Sequence, residues 1–146
     1  MVRGVLIVLG LDDWVEYVLT VERDVAAPGL ARLNPWPVEL FTNPGMGQIV
    51  CNLTEETEGF EDGSFSCMIR DPPTMGPAGE LYSGDFYREL CRVLRRRGKL
   101  FHYTGDPKSK LRRNTARGVA RRLREAGFVR VKSVDEAFGL VMYKGG

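Results

Sequence analysis

The side chains best suited to chemistry in this sequence are carboxylates that close short apolar runs. Glu22 ends Tyr17-Val-Leu-Thr-Val21. A carboxylate at the end of a strand can accept two hydrogen bonds from a vicinal diol such as that of a ribose, which makes Glu22 a candidate nucleoside anchor; the same position also suits a helix cap or an ion-pair partner. Asp71 follows the run Phe65-Ser-Cys-Met-Ile69 and Arg70, and is itself followed by Pro72 and Pro73. Each proline fixes its own φ and pushes the residue before it into an extended conformation, so Asp71-Pro72-Pro73 presents a stiff carboxylate. Such a group can take a hydrogen bond from an amine and hold the nitrogen lone pair toward an electrophile; a loop that merely exits the sheet is the alternative. His102, the only histidine, lies beside Tyr103 at the end of Lys99-Leu-Phe-His-Tyr103, where its ring faces either a site or the packing of the sheet. With one histidine and no cysteine cluster, neither a metal centre nor a Ser-His-Asp triad is expected, and the GxxxxGK[ST] phosphate loop is absent.

These residues need elements to position them. Val5-Leu-Ile-Val-Leu9, ending at Gly10, reads as a parallel strand covered on both faces. Residues 11–16 are too few for a full crossover helix before the second strand, so the first βα unit is shortened. Ala26, Leu30 and Leu33 fit one helical face, interrupted by Pro28-Gly29 and ended by Asn34-Pro-Trp-Pro37. Gln48-Ile-Val-Cys51 and Phe65–Ile69 are the third and fourth strands. A helix capped by Ser83 or Asp85 follows, with Phe86, Leu90, Val93 and Leu94 on its buried face and Gly98 as its stop. Lys99–Tyr103 is the fifth strand. The next helix, about Leu111–Ala126, buries Ala116, Val119, Ala120 and Leu123 and turns Arg113, Arg117, Arg121 and Arg124 elsewhere. Phe128–Val131 and Phe138–Tyr143 are joined too closely for a crossover and must pair antiparallel. Strands alternating with helices describe an α/β sheet in one domain, residues 1–146. Ligands of such sheets gather beyond the carboxyl ends of the strands, which here are Gly10, Glu22, Cys51-Asn52, Asp71-Pro72-Pro73 and His102-Tyr103-Thr104.

The net charge of +2 conceals a division: residues 1–70 hold 4 Lys/Arg against 11 Asp/Glu, and residues 71–146 hold 17 against 8. Between Arg88 and Arg124, 14 basic residues face only Glu89 and Asp106. That stretch either solvates the outer faces of helices or draws an anionic partner such as RNA. The longest apolar run, Val5–Leu11, falls far short of the roughly 20 residues that cross a bilayer. Cys51, Cys67 and Cys91 are odd in number and widely spaced, which suits a reducing cytoplasm better than a disulfide framework. A sheet edge beside the shortened first unit makes a homodimer an expectation to test.

The order of motifs resembles class I S-adenosylmethionine-dependent methyltransferases, and within them a group of predicted archaeal methyltransferases. The matching segments are Leu19-Thr-Val-Glu-Arg-Asp24, Leu30-Ala-Arg-Leu-Asn-Pro-Trp36, Ile69-Arg-Asp-Pro-Pro73, Gly79-Glu-Leu-Tyr-Ser83, Phe86-Tyr-Arg-Glu-Leu90 and Leu100-Phe-His-Tyr103. The resemblance implies a Rossmann-like, mostly parallel sheet with a C-terminal antiparallel hairpin. It implies that Glu22 binds the ribose of S-adenosylmethionine, that Asn52 lies near the adenine, and that Gly10 stands in the cofactor loop. Asp71-Pro72-Pro73 is similar to the loop with which amino-methyltransferases orient an exocyclic nitrogen, and Tyr82, with His102 and Tyr103, falls on the substrate side. The expected activity is methyl transfer to an amine-bearing small molecule or a nucleic-acid nitrogen. Thr74 replaces the aromatic that would stack a base, and Val8-Leu9-Gly10-Leu11-Asp12-Asp13 lacks the acid-x-G-x-G pattern. That departure carries the alternative: a non-catalytic protein of the same fold that binds RNA or another partner.

Overall fold

Seven apolar runs become the strands of one sheet in the computed structural model, which describes residues 5–8, 17–34, 41–52, 56–71, 83–106 and 108–146. The strands are β1 (Val5–Val8), β2 (Val18–Glu22), β3 (Met46–Val50), β4 (Phe65–Arg70), β5 (Leu94–Tyr103), β6 (Phe128–Val134) and β7 (Gly139–Lys144). Among the described residues they are accompanied by the α-helices α1 (Ala27–Arg32), α2 (Gly84–Val93) and α3 (Lys110–Glu125). The sheet order is β3-β2-β1-β4-β5-β7-β6. β2, β3, β4, β5 and β6 point the same way; β7 runs against them, pairing antiparallel with both β5 and β6. The chain is thus a mostly parallel α/β sheet closed by an antiparallel C-terminal hairpin, with a shortened first unit.

β1 corrects one expectation. It is not parallel to its neighbours: Val5 pairs with Val21 and Val8 with Val18, and β1 also runs antiparallel to β4. Residues 9–17 are fewer than the dozen or so that a parallel return needs, so β1 and β2 can pair only with opposite directions. The sheet edges are therefore β3 and β6, while β1 lies inside.

The core forms where α2 and α3 cover the sheet. Met68, Leu100 and Met142 project from adjacent strands against Tyr87, Leu90 and Val93 of α2 and Val119 and Leu123 of α3, all fully buried. Ser83 starts α2, its side chain accepting the Phe86 N–H at 3.1 Å. Arg92 ties α2 to the segment before β4, donating to the carbonyls of Thr57 and Phe60, each at 2.8 Å.

Gly98 does not stop α2. The helix ends at Val93, and Leu94 leaves helical geometry to enter the core, where it is fully buried. The Lys144 ammonium donates to the carbonyls of Arg92 (3.0 Å) and Leu94 (2.7 Å), two acceptors that a helix end leaves open. The β4–β5 ladder then jumps from Phe65–Leu94 to Cys67–Lys99, so Arg95, Arg96 and Arg97 bulge into solvent, with Arg97 in the left-handed region at φ 59°. Gly98 closes this bulge: a Cβ there would sit 2.6 Å from Leu94 Cγ and 2.7 Å from the Arg95 carbonyl oxygen. Gly98→Ala is expected to destabilise the fold by about 1–3 kcal/mol, because the clash involves backbone. Gly29→Ala, in α1 with open space around it, is expected to stabilise by about 0.5–1 kcal/mol. Chemical denaturation midpoints measure both.

Candidate functional site

At the carboxyl edge of the common-direction strands, β2 delivers Glu22, β3 delivers Cys51 and Asn52, β4 delivers Asp71, and β5 delivers His102 and Tyr103. β2 and β3 stay paired to the last residue, with Glu22 opposite Val50 and the Cys51 N–H donating to the Glu22 carbonyl at 2.9 Å. Across β1, Glu22 and Asp71 are two strand spacings apart, roughly 10 Å. β1 meets this edge with its beginning, since Val5 pairs with both Val21 and Arg70, and the chain leaves Val8 at the opposite edge.

The Glu22 carboxylate is held by the turn that follows it. Its Oε1 accepts the N–H groups of Arg23 (2.7 Å) and Asp24 (3.0 Å), which fixes the orientation of the whole group. Its Oε2 is buried and has no hydrogen-bond partner among the described residues. A buried acceptor without a donor costs free energy, and this oxygen has two lone pairs with which to accept one.

Behind Asp71 lies a buried polar cluster. Arg70, His102 and Tyr87 are each 0% exposed. Arg70 Nη1 donates to His102 Nε2 at 2.7 Å, the Tyr87 hydroxyl lies 3.1 Å from the same nitrogen, and His102 Nδ1 lies 2.9 Å from the Tyr103 carbonyl oxygen. A carbonyl can only accept, so the proton is assigned to Nδ1, and Nε2 offers its lone pair to the two donors. The Arg70 guanidinium also lies over the rings of Phe86 (4.9 Å) and Tyr87 (5.4 Å). Burial, and then the charge of Arg70, hold the His102 imidazole well below its ordinary value, so it is neutral near pH 7. Burial likewise raises the Tyr87 phenol, partly offset by Arg70.

Of the sequence-derived candidates, Glu22, Asn52, Asp71, His102 and Tyr103 are described and converge on one edge. Asn52 is half-buried, with its carbonyl accepting the Glu56 N–H at 3.1 Å, and Tyr103 is 37% exposed. His102 is enclosed with both ring nitrogens engaged, the packing alternative for this residue. Gly10, Pro72, Pro73 and Tyr82 lie outside the described residues. Sequence reasoning missed Arg70 and Tyr87. The signal for Arg70 was its position two residues after Met68 on one face of β4, which pointed its side chain inward.

No family model matches the chain. A curated relative, the uncharacterized protein MJ1233 of Methanocaldococcus jannaschii, is 43% identical over 128 residues, which cover 87% of this chain and 44% of that protein. Among solved structures, spermidine synthase in complex with the transition-state analogue AdoDATO superposes with a TM-score of 0.73 at 20% identity, over 91% of this chain and 47% of the other. Spermidine synthase from Thermotoga maritima gives a TM-score of 0.70 at 18% identity, over 91% and 46%. The chain has a Rossmann-like α/β fold. It spans less than half the length of each of these proteins. None of the three cysteines forms a disulfide, and among the described residues no helix is long and apolar enough to cross a membrane.

The neutral His102 has a measurable consequence. Its folded-state value lies below the unfolded value of about 6.5, so the unfolded chain binds the extra proton; its stabilisation is complete above pH 6.5 and is lost as pH falls. Between pH 6.5 and the folded-state value, this one group is expected to remove about 1.4 kcal/mol per pH unit as it becomes fully protonated in the unfolded chain. Denaturant titrations of His102→Gln, whose amide oxygen can still accept from Arg70, are expected to show a flatter acid limb than the unsubstituted protein.

Proposed function

We propose that the carboxyl edge at Glu22 binds the nucleoside half of S-adenosylmethionine or a close relative, for group transfer to an amine or nucleic-acid nitrogen placed by Asp71. The observation that carries this reading is the Glu22 carboxylate, oriented by two backbone N–H groups on Oε1 while its buried Oε2 has no hydrogen-bond partner among the described residues. A ribose diol supplies such donors, and Asn52, on the adjacent strand exit, borders the position of the base. When bound, the cofactor supplies an electrophilic carbon on a sulfonium centre. The contribution of the chain is positional: Asp71 accepts an N–H of the amine and directs its lone pair, while Glu22 fixes the nucleoside two strands away. Aminopropyl transfer from the decarboxylated cofactor needs the same two groups, and the likeness to spermidine synthase supports it equally.

The direction of β1 favours a second reading. In parallel α/β sheets the loop after the first strand meets the ligand, whereas here the chain leaves β1 at the far edge. A protein that keeps the fold without the transfer reaction, binding RNA or another partner, accords with that geometry.

Calorimetric titration with S-adenosylmethionine and with 5′-methylthioadenosine, which has no amino-acid tail, tests the first reading. Both are expected to bind with similar affinity, because the anchor lies on the nucleoside, and Glu22→Gln is expected to weaken both about 10-fold or more through loss of a charge-assisted hydrogen bond. Absence of binding by either compound, or an unchanged affinity in Glu22→Gln, would reject it.

A further inference from the structure

We infer that the groove between α3 and the β6–β7 hairpin is a binding site for single-stranded RNA, with Phe138 as its stacking platform. This deepens the partner-binding reading and rests on different residues from the cofactor site. The groove encloses about 810 Å³. Its helical wall presents Arg112, Arg113, Arg117 and Arg124, with the small side chains of Ala116 and Ala120 leaving room between them and Lys108 in the turn before the helix; its other wall includes Val131, Ser133, Phe138 and Leu140.

The charge on this wall is not neutralised internally. α3 carries seven Lys/Arg against the single acid Glu125, with no acid in its first turn. Its ion pair among the described residues joins Arg121 to Glu125 at 3.7 Å, away from the groove. Arg113, Arg117 and Arg124 have no ion-pair partner among the described residues. Arg113 and Arg117 are i,i+4 neighbours, as are Arg117 and Arg121, and each like-charge pair costs a helix roughly 0.2–0.5 kcal/mol. An anionic polymer lying along the groove offsets that repulsion with its phosphate charges, and the release of its condensed counterions adds to binding.

Phe138 supplies the second, independent observation. It sits in the left-handed region at φ 55°, ψ 37°, a conformation costly for an aromatic residue. Four hydrogen bonds enforce it: its N–H donates to the Asp135 carbonyl at 3.2 Å, and its carbonyl accepts the N–H groups of Thr104 (2.9 Å) and Gly105 (3.1 Å) and the Thr104 hydroxyl (3.4 Å). The residue is nevertheless 42% exposed and lines the groove. A rigidly placed, exposed ring beside a cationic wall is the combination that holds a single strand, with arginines tracking phosphates and the ring stacking a base. Paired bases are already stacked on one another, so a duplex leaves the ring unused.

Of the three acids that line the groove, Glu136 is the one that discriminates the sugar. Asp106 is spent on its own turn, accepting the Lys108 N–H at 2.8 Å, and Asp135 accepts the Ser133 hydroxyl at 2.5 Å. Glu136, two residues before Phe138, adds an acceptor that repels phosphate and welcomes a hydroxyl donor, which the ribose 2′-OH provides and deoxyribose lacks.

The test is fluorescence anisotropy with a labelled RNA of about 12 nucleotides, within the site sizes of known single-strand binders, in the absence of any cofactor. The same sequence as DNA and as an RNA duplex form the other arms. The single-stranded RNA is expected to bind most tightly. Phe138→Gly suits the left-handed backbone and so keeps the melting temperature, yet it is expected to weaken binding about 10-fold or more by removing the ring. Arg113→Gln/Arg117→Gln/Arg124→Gln is expected to weaken binding and to lower the salt slope by about 0.7 for each phosphate that is no longer neutralised. Affinity for DNA or duplex equal to that for single-stranded RNA overturns the proposal, as does wild-type affinity in Phe138→Gly or in the triple variant. Because the assay contains no cofactor and the nucleoside titration contains no RNA, failure of one is distinguishable from failure of the other.

Discussion

The burial of one positive charge organises the centre of this molecule. Arg70 is the last residue of β4 and is wholly removed from water, a placement that costs several kcal/mol unless the charge is compensated. The compensation comes from two elements at once. β5 offers the lone pair of His102, α2 offers the faces of Phe86 and Tyr87, and the Tyr103 carbonyl fixes the tautomer that makes the lone pair available. None of these can shift without exposing the guanidinium to an apolar surround. α2 must therefore start at Ser83, which sets the rotation that turns Phe86 and Tyr87 inward, and β5 must keep its register with β4, where His102 stands opposite Arg70. The next residue after Arg70 is Asp71, so the rigidity that the buried charge imposes ends directly beneath the carboxylate at the site.

A second constraint acts on the other half of the sheet and works through chain length. The stretch between β1 and β2 cannot span a crossover, so β1 enters the sheet in reverse. The order β3-β2-β1-β4-β5-β7-β6 survives because a four-residue strand of Val, Leu and Ile has the β-propensity to pair in either direction. Ligand chemistry depends on direction. Reversal leaves β2 and its Glu22 facing the edge unchanged, while it takes the loop after β1 away from that edge. Glu22 and the exit of β1 therefore lie at opposite edges of the sheet.

What was legible in the sequence follows the same division. Elements whose apolar period is long and clean, such as α3 with Val119, Ala120 and Leu123, lie where the periodicity puts them, and the hairpin of β6 and β7 follows from a short linker. The identical argument applied to residues 9–17 gives the antiparallel β1, but the unbroken apolar run suggested a parallel strand, since an unbroken run carries no mark of its direction. The end of α2 was misplaced because Gly98 resembles a helix stop, whereas the stop is set by Leu94 entering the core and by Lys144, 50 residues away, reaching back to its carbonyl. Long-range hydrogen bonds of that kind leave no local pattern. Nor does Arg70: an arginine at a strand end reads as a solvated charge until the aromatic residues of α2 are placed over it.

The basic residues from Arg70 onward can be divided by the same physical criterion. Arg70 and Arg92 are consumed internally, the first by aromatic rings and a histidine, the second by two backbone carbonyls and by Asp62 and Glu89. Lys144 is consumed at the end of α2. Arg95, Arg96 and Arg97 form an exposed bulge whose form is dictated by the close approach at Gly98. The cations of α3 belong to neither class, since helix packing requires only the opposite face of α3 and the bulge geometry does not reach it. Their concentration beside an aromatic residue in a costly conformation is a cost the fold does not require, and such costs persist in proteins where they serve a ligand.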